Sequence, residues 1–269
     1  MLRGKRIIVT GAGTGIGAGI AASAAEAGAS VLLADIDIAA AEAVAAEIRA
    51  NRGEAQACSL DLAEVNSVRL MIETATSRFG GLDGLVNNAA KTVLTAQDHG
   101  VETMDLQVWD ETLHVNLRGT MLACKYAIPA LRSAGGGAIV NIASGAAMRG
   151  SSELTAYGVS KAGIVVLSRY IAAQHGREGI RCNAISPGII LTPKTAPAFG
   201  AAEAQAKVLP FVLSPRLGLP ADIASAALWL LGESGAYVNG QCISIDGGLL
   251  THQRQLTEAM WSASPGDVE

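Results

Sequence analysis

The sequence predicts an α/β fold in which helices cover both faces of a doubly wound parallel sheet of about seven strands. Three observations carry this expectation. Short β-branched runs alternate with longer helical patterns from Arg6 onward, the rhythm of right-handed βαβ units. The run Ala138-Ile139-Val140-Asn141-Ile142 is apolar at nearly every position, as in a strand buried on both faces. A glycine-rich turn, Thr10-Gly11-Ala12-Gly13-Thr14-Gly15-Ile16-Gly17, leads from the first run straight into a helical pattern.

Strands are expected at Arg6 to Thr10, Ser30 to Asp35, Glu54 to Leu60, Gly84 to Asn87, Ala138 to Ala143, Gly179 to Ile185 and Gln241 to Ile245. Helices are expected near 15–27, 39–51, 64–79, 105–134, 155–176 and 220–232. The alanine-rich stretch Ile38 to Ala50 has apolar residues at 41, 44, 45 and 48, the spacing of an amphipathic helix lying on a sheet. Two segments break the rhythm, 91–104 and 189–219. Each follows a strand, and loops at the carboxyl edge of an open sheet are where ligands bind. The second carries Pro193, Pro197, Pro210 and Pro215 among Phe199, Val208, Phe211 and Leu213, and reads as a substrate lid.

A length of 269 residues suits a single domain, 1–269, ending in a polar tail over 251–269. Half of the residues are hydrophobic, 16% are charged and the net charge is −4, which argues against disorder and against nucleic acid as the main partner. The four cysteines, Cys58, Cys124, Cys182 and Cys242, lack the spacing of a metal knuckle or a redox pair. Buried reduced thiols and no metal are expected. The apolar run Ile7-Ile8-Val9 is too short for a secretory signal, and no stretch approaches the roughly 18 apolar residues of a membrane span. These features predict a soluble, cytoplasmic protein with a small-molecule substrate and no membrane partner.

In the glycine turn, Gly11, Gly15 and Gly17, together with Thr14 and Ile16, let the backbone approach an anion at a helix N-terminus, which suits a pyrophosphate. Asp35 ends the second strand 18 residues beyond Gly17, near the offset of a ribose-binding acid. Its charge would repel a 2′-phosphate and Ile36, rather than an arginine, follows it, so NAD is favoured over NADP. Tyr157 and Lys161, one turn apart on a helix face, pair a weak acid with a fixed cation. An adjacent ammonium is expected to lower the phenol from its reference value of about 10, making Tyr157 an acid/base candidate. Ser144 follows the fifth strand, at the same edge of the sheet.

Together these residues resemble the short-chain dehydrogenase/reductases of the one-domain, Rossmann-like type, across residues 4–248. Thr10-Gly11 with Gly15-Ile16-Gly17 matches that family's cofactor turn, and Asp61-Leu62 looks like its adenine-binding pair. Asn87-Asn88-Ala89 resembles the element after the fourth strand, with Ala90 where the family usually has glycine. Pro187 to Thr192 resembles the segment that holds a nicotinamide carboxamide, through the Ile190 backbone and the Thr192 hydroxyl.

The resemblance implies that Ser144 binds the substrate oxygen, that Tyr157 is the acid/base, and that Lys161 clamps the cofactor ribose and tunes Tyr157. It further implies that Asn116, within an otherwise helical stretch, holds a water linking Lys161 to solvent. The implied activity is hydride transfer between NAD and a hydrophobic secondary alcohol or ketone, in a homotetramer or homodimer built on the helices near 105–134 and 155–176. Two alternatives stand beside it. One is a nicotinamide-binding regulator without catalysis, against which the intact Ser144, Tyr157 and Lys161 argue. The other is an enoyl reductase, a class that usually spaces its Tyr and Lys farther apart than the three intervening residues here.

Overall fold

The computed structural model describes residues 2–251; the expected tail lies, beyond Thr251, outside the described residues. The strands are β1 (Arg6–Thr10), β2 (Ser30–Asp35), β3 (Glu54–Ser59), β4 (Gly84–Asn87), β5 (Gly137–Ile142), β6 (Ile180–Pro187) and β7 (Cys242–Ile245). They form one sheet in the order β3-β2-β1-β4-β5-β6-β7, and every neighbouring pair is parallel. The chain runs outward from β1 to β3, then returns to place β4 on the other side of β1. The carboxyl ends of β1 and β4 therefore flank the topological switch point, where a crevice opens.

Nine helices are found among the described residues: α1 (Gly15–Glu26), α2 (Ile38–Ala50), α3 (Val65–Phe79), α4 (Leu106–Leu113), α5 (Thr120–Ser133), α6 (Thr155–His175), α7 (Ala196–Phe199), α8 (Ala202–Val208) and α9 (Pro220–Leu231). Strand periodicity divides the core. Ile7 and Val9 of β1 face one side, packing with Ile20 and Ala24 of α1, Ala41 of α2 and Ile223 of α9. Ile8 faces the other, with Leu85, Ile139, Met71 of α3, Leu131 of α5 and Ile171 of α6. Both faces are covered, which is why the strands read as continuous apolar runs.

Two expectations change. The single helix expected over 105–134 is interrupted by a π-helical segment, His114–Gly119, between α4 and α5. The Thr120 hydroxyl donates to the Asn116 carbonyl at 2.7 Å, and the Asn116 side chain is held by the segment after β4. Side-chain bonds thus override the regular ladder. The stretch 189–219 carries α7, α8, a 3₁₀ turn at Leu209–Phe211 and a bridge pairing Ile190 with Gly218.

All four cysteines are free; Cys124 and Cys182 are buried, whereas Cys58 and Cys242 are only partly covered. Burial pushes the thiols up, Cys58 to about 11 and Cys124 to about 12, with Cys182 and Cys242 also raised from the ordinary 9.0. A folded-state value above the unfolded one contributes stability below the unfolded value, and that contribution is lost as pH rises through the folded one. Lys161, lowered from 10.5 to about 8 by burial, acts oppositely between those two values, as does the lowered Lys194, whereas the raised Tyr157 adds to the four thiols. The urea midpoint is therefore expected to fall above pH 9.0. Cys124→Ala should cost about 1 kcal/mol at neutral pH and flatten the alkaline decline, as urea titrations at stepped pH would read.

Candidate active site

Thr10, at the end of β1, is fully buried. Its hydroxyl accepts from the backbone amides of Asn88 at 3.0 Å and Ala89 at 3.1 Å, and donates to the Val86 carbonyl at 3.4 Å. The Asn88 side-chain amide donates at 3.0 Å to both the Thr10 and Gly11 carbonyls. These bonds stitch the glycine turn to the chain leaving β4. The turn needs its glycines: Gly11 and Gly15 lie at φ +65° and +59°. A Cβ on Gly17 would stand 2.0 Å from the Gly11 carbonyl oxygen and 2.5 Å from the Asn88 amide nitrogen.

Asp35, at the tip of β2, anchors the same turn: Oδ2 accepts from the Gly13 amide at 2.8 Å and Oδ1 from the Asp37 amide at 3.0 Å. Thr14 is exposed at the N-terminus of α1, and its side chain makes no capping bond. Ile16 packs against the core. Ala90 replaces the family's glycine without strain, since Arg52 and Leu154 are the only non-glycine residues with positive φ among those described. Asp61 accepts from the Ala63 amide at 2.9 Å, and Leu62 is buried beside Gly119.

The segment after β6 closes on the turn. A Cβ on Gly15 would lie 3.3 Å from the Thr192 methyl, so Thr192 borders the glycine turn. Thr195, which the sequence reading did not single out, organises this segment. Its hydroxyl donates to the Ile190 carbonyl at 2.6 Å and accepts from the Thr192 amide at 2.8 Å. The three-residue Thr spacing is a local turn signal that could have revealed it. Backbone cradle, exposed Thr14, strand-end Asp35 and a helix N-terminus together fit a dinucleotide pyrophosphate.

Ser144, just past β5, accepts from the Ala146 amide at 3.2 Å and hydrogen-bonds Tyr157. Tyr157 occupies the first turn of α6, with Lys161 one turn on. Lys161 is 2% exposed; its Nζ donates to the Ile142 carbonyl at 2.8 Å and lies 5.8 Å from the Tyr157 ring centroid. Asn116 is fully buried in the π segment. Its Oδ1 accepts from the Lys91 amide at 2.7 Å and its Nδ2 donates to Ser160 Oγ at 3.3 Å, while Ser160 donates to the Tyr157 carbonyl at 2.7 Å. The structure thus gathers Ser144, Tyr157 and Lys161, and joins Asn116 to them through Ser160. Glu153, four residues before Tyr157, bonds His99 at 3.0 Å.

One expectation is corrected. Burial pushes the Tyr157 hydroxyl above its ordinary value, with the Ser144 hydrogen bond pulling the other way. Burial lowers Lys161 to about 8. Both groups are desolvated, and the ammonium is aimed at the Ile142 carbonyl, so the cation does not dominate the phenol.

The strand order and the glycine turn define a Rossmann-like α/β protein. The family model described as enoyl-(acyl carrier protein) reductase matches residues 11–250. A probable short-chain type dehydrogenase/reductase of Bradyrhizobium diazoefficiens is 44% identical, over 93% of this chain and 88% of that protein. The 7α-hydroxysteroid dehydrogenase of Bacteroides fragilis is 38% identical, over 92% of this chain and 95% of that protein. A solved 7α-hydroxysteroid dehydrogenase complexed with NADH and 7-oxo glycochenodeoxycholic acid superposes with a TM-score of 0.86 at 36% identity, over 92% of this chain and 94% of that one. The chain belongs to the short-chain dehydrogenase/reductase family.

Gly17→Ala tests the cradle. Its Cβ cannot be placed without moving backbone, so dinucleotide affinity should fall by about 100-fold or more, read by fluorescence titration, with far-UV circular dichroism reporting the fold.

Proposed function

We propose that this chain is an NAD-dependent dehydrogenase acting on a hydrophobic, cyclic secondary alcohol or its ketone, with Tyr157 as the acid/base. The observation that carries the proposal is Tyr157 itself: a half-buried phenol bonded to Ser144, one turn from Lys161, at the start of α6. The apolar side chains of 189–219 and the hydroxysteroid dehydrogenase relative support the substrate class.

Gly11, Gly15, Ile16, Gly17 and Thr14 would hold the pyrophosphate, Asp35 the adenosine ribose, Asp61 and Leu62 the adenine, Asn88 and Ala90 the cofactor beside its ribose, and Ile190 and Thr192 the carboxamide. The bound nicotinamide supplies the hydride-accepting carbon. In oxidation, Ser144 donates a hydrogen bond to the substrate oxygen while Tyr157 takes the hydroxyl proton. Lys161 orients the nearby ribose, and Asn116, through Ser160, keeps the Tyr157 backbone in place. Exposed Val159, Val166 and Tyr170 on α6 and Met121 on α5 support a homotetramer or homodimer formed on these helices.

The family model's description favours one second reading, an enoyl reductase. The two readings part on substrate. NADH formation with NAD and a panel of cyclic secondary alcohols supports the dehydrogenase, whereas NADH consumption with an enoyl thioester and none with ketones would overturn it. Tight NAD binding without turnover on either panel would point to a regulator.

Tyr157→Phe should lower kcat by about 10²- to 10⁴-fold and leave the NAD Kd nearly unchanged. Because the phenol is raised and oxidation needs its proton removed, kcat/KM for oxidation should climb on the alkaline side and that for reduction should decline there. Asp35→Ala should raise the KM for NAD about tenfold or more and narrow its preference over NADP, measured by paired initial rates with the two cofactors.

A further inference from the structure

The first turn of α6 needs acceptors for its free backbone amides, and the residue at its cap cannot supply one. Leu154 has no side-chain oxygen and sits at φ +66°, left-handed backbone that a leucine seldom adopts. The acceptor comes from far away in sequence. Asp98, in the segment after β4, is 1% exposed, and its carboxylate accepts from the Ala156 amide at 2.9 Å and the Tyr157 amide at 2.8 Å. Its carbonyl accepts from the Leu154 amide at 2.7 Å, and the neighbouring His99 carbonyl accepts from the Thr155 hydroxyl at 2.7 Å.

We propose that Asp98 is the positioning residue for Tyr157, fixing the acid/base against the loop that leaves β4. The proposal rests on the reading of Tyr157 given above. A Ser or Asp at position 154 would satisfy the same amides locally, yet would leave α6 free to shift relative to that loop. A carboxylate 59 residues upstream does both jobs at once. The loop it belongs to begins at Asn88 and Ala89, stitched to Thr10, and is bonded to Asn116 through the Lys91 amide. Asp98 therefore sets the phenol's place relative to the glycine turn. It touches the Tyr157 backbone, so it acts through Tyr157 and not on the substrate.

The test compares Asp98→Ala and Asp98→Asn with the wild-type enzyme in steady-state kinetics with NAD and the best alcohol of the panel, alongside thermal melts, NAD titration and amide exchange over residues 154–160. Asp98→Ala should lower kcat about 100-fold, the scale of a displaced catalytic group, with the NAD Kd within about threefold and faster exchange at Ala156 and Tyr157. Asp98→Asn keeps the shape and one acceptor and should fall short of wild type by only about three- to tenfold. A folded Asp98→Ala enzyme with kcat within about twofold of wild type would overturn the proposal. Should that variant not fold, Asp98→Asn decides: wild-type kcat and wild-type exchange sink the idea, and a lowered kcat with NAD binding intact supports it. Failure of the underlying reading looks different, because then Tyr157→Phe itself would retain its rate.

Discussion

The Thr10 hydroxyl is the bond on which the rest of the site is hung. It sits at the one place in the sheet where successive crossovers part to opposite sides, between β1 and β4. Strand pairing alone would leave the two departing loops free to splay. Three hydrogen bonds at Thr10, with two more from the Asn88 side chain, hold them together. The backbone approach that follows is so close that Gly17 has no room for a methyl group against the Gly11 carbonyl. A cradle built this way is preorganised, because ordering cost is met in folding and not at binding.

A second polar layer carries the same order across the sheet toward α6. The Asn87 side chain donates to Asn141 at 2.8 Å, and Asn141 donates to Ser168 of α6 at 2.8 Å, within a core otherwise apolar. One turn before Ser168 on the same helix face lies Ile164, and one turn earlier Lys161 reaches the Ile142 carbonyl. The helix that bears Tyr157 is thus pinned at its start by Asp98 and along its middle by the strand carbonyl and Asn141. Desolvating Lys161 disfavours its charge, and desolvating Tyr157 disfavours the phenolate. Burial thereby favours the neutral form of both groups, which raises the phenol and lowers the lysine.

What the sequence disclosed depended on how local each cause was. Strands buried on both faces declare themselves as apolar runs, and the glycines of the turn are demanded by backbone geometry within a few residues. Ser144, Tyr157 and Lys161 were legible because the helix brings two of them together and strand β5 delivers the third. Asp98 was not, since its partners lie 58 and 59 residues away and nothing around it marks a helix cap. The π segment at Asn116 was read as helix for a similar reason: a side-chain bond to Thr120 and another to the Lys91 amide displace the ladder. The sign of the Tyr157 shift failed because charge proximity can be read from spacing, whereas burial is a property of the folded whole.

The same distinction between local and distant contacts bears on the segment proposed as a lid. At its base, Ile190 and Leu217 are buried and the Ile190 to Gly218 bridge joins its two ends. Between those ends, α7, α8 and the 3₁₀ turn at Leu209–Phe211 contain no buried residue. Its outer contacts include the Lys194 ammonium on the Thr92 hydroxyl, a link between the two irregular loops. A stretch so poor in buried apolar contact opens at low free energy while the sheet stays intact. Thr195, bonded to the Ile190 carbonyl and the Thr192 amide, keeps the base beside the glycine turn in shape, so movement of the outer stretch need not disturb that turn.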